Sequence, residues 1–106
     1  MKRSTLFLVL FLIVGITVFA QKGHKVEVQK NIPLDSIRLS DPCILADRNT
    51  HMYYMTGTGG MLWKSPDLKR WEGPYQVAQT DPDSWMGPKP MIWAAELHQY
   101  NDKYYY

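Results

Sequence analysis

Apolar residues are unevenly spread along this chain. Residues 6–19, "LFLVLFLIVGITVF", form an apolar stretch without a charge. From Lys22 to Asn31 the chain turns polar, with a brief alternation around Val26 and Val28. Residues 21–36, which include it, read as a linker or a loosely docked first strand. From Ile37 the pattern becomes short apolar runs separated by turn clusters. "DPCILA" is a candidate strand, and "DRNT" after it is a turn. "HMYYMTGT" is rich in aromatic and Thr residues and predicts a second strand. A Gly-Gly turn follows, then "MLWKS" as a third. In "SPDLKRW" Ser65 suits a helix cap, Pro66 the first helical position and Asp67 the helix dipole. One helical turn is therefore expected there, with Leu68 and Trp71 on one side. "EGP" should break it, and "YQVAQ" alternates like a fourth strand.

Four short antiparallel strands in some forty residues make one propeller blade. A weak repeat supports this. "WAAELHQYNDKYYY" restates "SDPCILADRNTHMYY": a short run, a polar turn, an aromatic strand. Tyr53-Tyr54 correspond to Tyr104-Tyr105, and periods near 40–50 with several strands per unit suit propellers. Two copies also fit a plain β-meander.

The N-terminus changes the picture of where the protein works. Lys2 and Arg3, the apolar run and Ala20 have the layout of a secretory signal peptide over residues 1–20. The run is short of the roughly 18–20 residues of a membrane span, so cleavage is favoured over an anchor. An exported, periplasmic or extracellular protein is expected, with no membrane association after cleavage. Lys2 and Arg3 are two of the twelve basic residues, so the remainder carries ten basic and ten acidic residues. No polybasic patch remains to attract nucleic acid or an anionic surface. The single cysteine, Cys43, allows no internal disulfide and reads as buried packing.

Candidate chemistry is sparse. His24, His51 and His98 lack metal-ligand spacing. "GTGG" lacks the Lys-Ser/Thr and helix of a phosphate loop. Four Trp and seven Tyr suit either a strand-rich core or a sugar site, where ring faces stack on C–H patches. Asp41 precedes Pro42 at the mouth of the first strand. Proline should hold it extended, with its carboxylate at a buried edge. By itself it reads as a turn residue or as a catalytic carboxylate. Asp81 also precedes a proline, but no strand follows, so it reads as a turn.

"SDPCIL", "MYYMTGT", "WKSPDLKRWEGP" and "IWAAELHQYNDKYYY" follow one another in this order. The set resembles the N-terminal part of glycoside hydrolase family 43, the arabinanase, β-xylosidase and α-L-arabinofuranosidase group. The resemblance implies an all-β fold, a five-bladed β-propeller of which residues 37–106 would be the first blade and the start of the second. It implies inverting hydrolysis of arabinose- or xylose-containing plant polysaccharides. Asp41 matches the family's general base. Trp93, in Trp93-Ala94-Ala95-Glu96, matches a wall of the sugar pocket, and Glu96 a structural residue or a hydroxyl ligand. Ala95 stands where the family has a proline. The general acid and a second, orienting Asp are expected beyond Tyr106, so residues 1–106 alone are expected to be inactive. No cofactor or metal is expected on these residues, while a structural calcium held by further blades fits the resemblance. A non-catalytic propeller binding carbohydrate or protein, or a sibling propeller enzyme cutting fructans, shares the same early features.

Overall fold

The computed structural model describes residues 26–106. The signal-peptide expectation falls on residues outside that range. Among these residues seven strands are formed: β1 (Gln29–Pro33), β2 (Cys43–Asp47), β3 (Met52–Thr56), β4 (Met61–Ser65), β5 (Arg70–Gln76), β6 (His98–Tyr100) and β7 (Lys103–Tyr105). A 3-10 turn spans Leu34–Ser36. The described residues are thus all-β in character. β1 to β5 make one antiparallel sheet in the order β1-β5-β4-β3-β2, and β6 and β7 make a separate hairpin.

The meander β2-β3-β4-β5 follows the alternating pattern of the sequence. On β3, Met55 and Thr56 are buried. On β5, Trp71 is only 1 % exposed and is the largest fully buried side chain. Its indole N–H donates to the Leu68 carbonyl at 3.2 Å, so the polar tip is not left unpaired. Thr56 and Ser65 are buried polar residues, and both are satisfied. Thr56 donates to the Met61 carbonyl at 2.8 Å, and Ser65 Oγ accepts from the Leu68 N–H at 2.9 Å.

Two local expectations are corrected, and one open alternative is decided. The segment read as a linker or a loosely docked first strand carries β1, which pairs with the outer edge of β5. Its polar sequence shows no strand alternation; backbone pairing to β5 supplies the order. The helical turn at Ser65–Trp71 does not form. Ser65 accepts from the Asp67 and Leu68 N–H groups, and Asp67 from those of Lys69 and Arg70. The same side chains that cap helices here close a β4–β5 hairpin loop. Leu68 takes a left-handed φ of 66° to allow it. "EGP" does not end an element either: β5 runs through it. Gly73 is required there, because a Cβ would lie 2.7 Å from the Trp63 ring.

The second hairpin is pinned to the first by Asp47. This residue is 3 % exposed at the end of β2. Its carboxylate accepts from the Tyr104 hydroxyl at 2.5 Å, the Thr50 hydroxyl at 2.7 Å and the Asn49 N–H at 3.0 Å. The Tyr104 bond, then the Thr50 bond, hold the Asp47 carboxyl below its ordinary value of 3.8, against the opposing effect of burial. Asp47 in turn pushes the Tyr104 hydroxyl up to about 12. A depressed carboxyl pKa stabilises the fold fully above the ordinary value and loses that contribution as pH falls through the folded one. A raised phenol pKa stabilises it fully below 10 and loses the contribution as pH rises towards 12. Denaturant unfolding should therefore show the wild type losing stability below pH 4 and above pH 10 more steeply than Tyr104→Phe. Parallel profiles would contradict the pin.

Candidate active site

Asp41 lies just before β2, and its backbone is not extended. Its φ is 51°, in the left-handed region. This corrects the expectation from the following proline. The conformation costs a non-glycine residue on the order of 1–3 kcal/mol, although Asp is among the side chains that tolerate it best. The surrounding chain imposes it. Gly57 packs against the residue so closely that a Cβ there would sit 2.6 Å from the Ser40 carbonyl oxygen and 3.0 Å from that of Asp41. The Thr58 N–H donates to the Ser40 carbonyl at 3.0 Å. The Thr58 hydroxyl donates to Asp41 Oδ2 at 3.1 Å.

The same loop reaches the second candidate segment. The Gly59 N–H donates to the Ile92 carbonyl at 2.9 Å, and the Ala94 N–H donates to Thr58 Oγ1 at 3.0 Å. Ala94 also has a left-handed φ, 47°, which an alanine adopts only under constraint. Residues 57–59 thus strap the Asp41 turn to the Ile92–Ala94 turn. Trp93 lies within the strapped segment and is 77 % exposed. Glu96 is directed elsewhere: its carboxylate lies 2.9 Å from His98 Nε2 on the exposed start of β6. The structure therefore joins Asp41 to the backbone beside Trp93 and leaves Glu96 outside that hydrogen-bonded set. Cys43 is half-buried, with its sulfur 4.0 Å from the Leu97 carbonyl. A cleft of about 370 Å³ opens beside the strap, bordered by Gly59, Gly60, Gln76, Lys89 and Ile92, and it includes none of Asp41, Trp93 and Glu96. Asp81 closes a turn by accepting from the Asp83 and Ser84 N–H groups. Among the described residues no group of three or more His, Cys, Asp or Glu is placed to hold a metal, and no helix is long and apolar enough to cross a membrane.

The family model described as "Glycosyl hydrolases family 43" matches residues 31–106, which include every residue of this strapped site. The chain belongs to glycosyl hydrolase family 43. A solved structure, the endo-arabinase from Bacteroides thetaiotaomicron VPI-5482, is similar at 32 % sequence identity and a TM-score of 0.57. The similarity covers 72 % of this chain and 27 % of that one, so the chain spans about a quarter of the solved enzyme. None of the curated proteins matches it.

Within this family 43 chain, sequence reasoning singled out Asp41 and Trp93 but missed Thr58 and Ala94. Thr58 was visible only as a polar residue between glycines in "GTGG". Its two partners lie 17 and 36 residues away, a separation no local pattern reports.

Proposed function

We propose that this chain supplies the general base, Asp41, of an inverting glycoside hydrolase acting on arabinose-containing plant polysaccharides. The observation that carries the reading is the conformation of Asp41. An acidic residue is held in a strained backbone state, by contacts from a distant loop, inside the segment matched by the family. Such strain persists only where the surroundings over-determine it, and it clusters at functional sites. The similarity to an endo-arabinase supports arabinose polymers as the substrate class.

In this reading Asp41 takes a proton from a water molecule. The water oxygen bonds to the anomeric carbon as the glycosidic C–O bond breaks, with inversion. A carboxylic acid on the opposite face gives its proton to the departing oxygen. The two carboxyl groups must stand about 6.5–9.5 Å apart to leave room for the water. In this reading the acid and an orienting Asp are carboxyl groups other than Asp41 and Glu96. Trp93 offers an exposed indole face on which a pentose ring can stack. Glu96, steadied by His98, accepts from a sugar hydroxyl further from the reacting bond. The meander β2-β3-β4-β5 is the first blade of a five-bladed propeller, and β6-β7 opens the second. The enzyme is exported and meets polysaccharide outside the cytoplasm.

The test uses the full-length protein with linear arabinan, xylan and levan. The expected result is release of arabino-oligosaccharides whose new reducing end first appears, by proton NMR, in the anomeric configuration opposite to that of the substrate. Cleavage of levan instead would point to a fructan enzyme. Binding without cleavage would point to a non-catalytic propeller. Retention of configuration would contradict the base role.

A further inference from the structure

We propose that Thr58 is a positioning residue for Asp41, fixing which carboxylate oxygen is free to meet the attacking water. The inference rests on the reading of Asp41 as the base and adds a residue to it. A threonine hydroxyl has one proton to give and two lone pairs to accept with. The Ala94 N–H, which can only donate, occupies an acceptor position on Thr58 Oγ1 at 3.0 Å. An ionised carboxylate can only accept. The hydroxyl proton is therefore directed at Asp41 Oδ2, 3.1 Å away. The direction of the relay is set: Ala94 N–H to Thr58, Thr58 O–H to Asp41.

Two consequences follow from this polarity. Asp41 Oδ2 is engaged, while Oδ1 accepts no hydrogen bond among the described residues and is the oxygen left for water. The carboxylate plane is also referenced to the backbone beside Trp93, because the hydroxyl that orients it is itself held by Ala94. The backbone of the same loop grips both flanks, through Thr58 N–H to Ser40 and Gly59 N–H to Ile92. Thr58 is thus placed to set the angle of the base against a sugar resting on Trp93. Orientation of this kind enters the rate of the chemical step more than ground-state binding.

The experiment measures kcat and KM for an arabino-oligosaccharide in the full-length enzyme carrying Thr58→Val, Thr58→Ser, Asp41→Asn, or Asp41→Asn with Thr58→Val. Valine keeps the shape and removes the hydroxyl; serine keeps the hydroxyl. The expected result for Thr58→Val is a kcat lower by about ten- to a hundredfold, the usual weight of a hydrogen bond to a charged group, with KM within about twofold. Thr58→Ser should stay within about threefold of the wild type. On the Asp41→Asn background Thr58→Val should cost nothing further, because the side chain it orients can no longer take a proton from water. Thr58→Ala repeats the test if the valine variant does not fold. A Thr58→Val enzyme with wild-type kcat, a serine variant as slow as the valine one, or a full additional loss on the Asp41→Asn background would each overturn the positioning role while leaving the base in place. An Asp41→Asn enzyme with wild-type turnover would instead remove the base, and the positioning role with it.

Discussion

Trp71→Ala lowers the unfolding free energy by about 3–5 kcal/mol, the largest stability effect expected of any single substitution in the first sheet. Trp71 is the largest fully buried side chain. Its strand, β5, lies between β4 and β1, and Trp71 itself pairs with Ile32 across the β1 ladder. Truncation leaves a cavity where the indole stood and frees the Leu68 carbonyl that it bonds. The apolar core is small, with Met55 and Leu97 as its other buried apolar members among the described residues, so little can collapse into the gap. Domains of this size are stable by only about 5–15 kcal/mol, so the loss is a large share of the total. Guanidinium unfolding of the wild type, Trp71→Ala and Trp71→Phe checks it. The phenylalanine variant keeps most of the apolar volume and loses the N–H bond, for an expected drop of about 1–2 kcal/mol. An alanine variant within about 1 kcal/mol of the wild type would show that Trp71 does not anchor the sheet.

The strands that form the meander were legible because their residues carry local preference. Tyr53, Tyr54 and Thr56 favour a half-buried pleated surface, and Asp47 to Thr50 and Gly59-Gly60 are turn formers on either side. β1 was not legible. Its "QKNIP" has neither alternation nor β-branched density, and Asn31 sits at a left-handed φ of 58° where the pairing register shifts. It is a strand because β5 offers an edge. The turn after β4 failed for a different reason. Ser65 and Asp67 gather backbone N–H groups equally well in a helix cap and in a hairpin loop, and the pull of Trp71 into the core selects the loop.

The site divides along the same line. Asp41 stood out in sequence because a carboxylate before a proline at a strand mouth is a distinctive placement. Its conformation did not, because the preference imposed by Pro42 is local and the contacts from Gly57 and Thr58 override it. The Ala95 departure from the family pattern leaves the adjoining strap in place: Ala94 is bonded to Thr58 and Gly59 to Ile92.

The most direct measurement of the role of Asp41 is the turnover of linear arabinan by the full-length enzyme carrying Asp41→Asn. Asparagine keeps the shape of the side chain and can still accept the Thr58 proton, but it cannot take a proton from water. General-base catalysis is worth about 10²–10⁴-fold, so kcat should fall by that factor while KM moves little. Asp83→Asn, a change at an exposed turn residue that makes no hydrogen bond to the strap, serves as the control and should turn over like the wild type. The predicted result is loss of about a hundredfold or more in kcat with the fold and sugar affinity retained. Turnover within a few-fold of the wild type would contradict it, and Asp41 would then be a strained turn residue and nothing more.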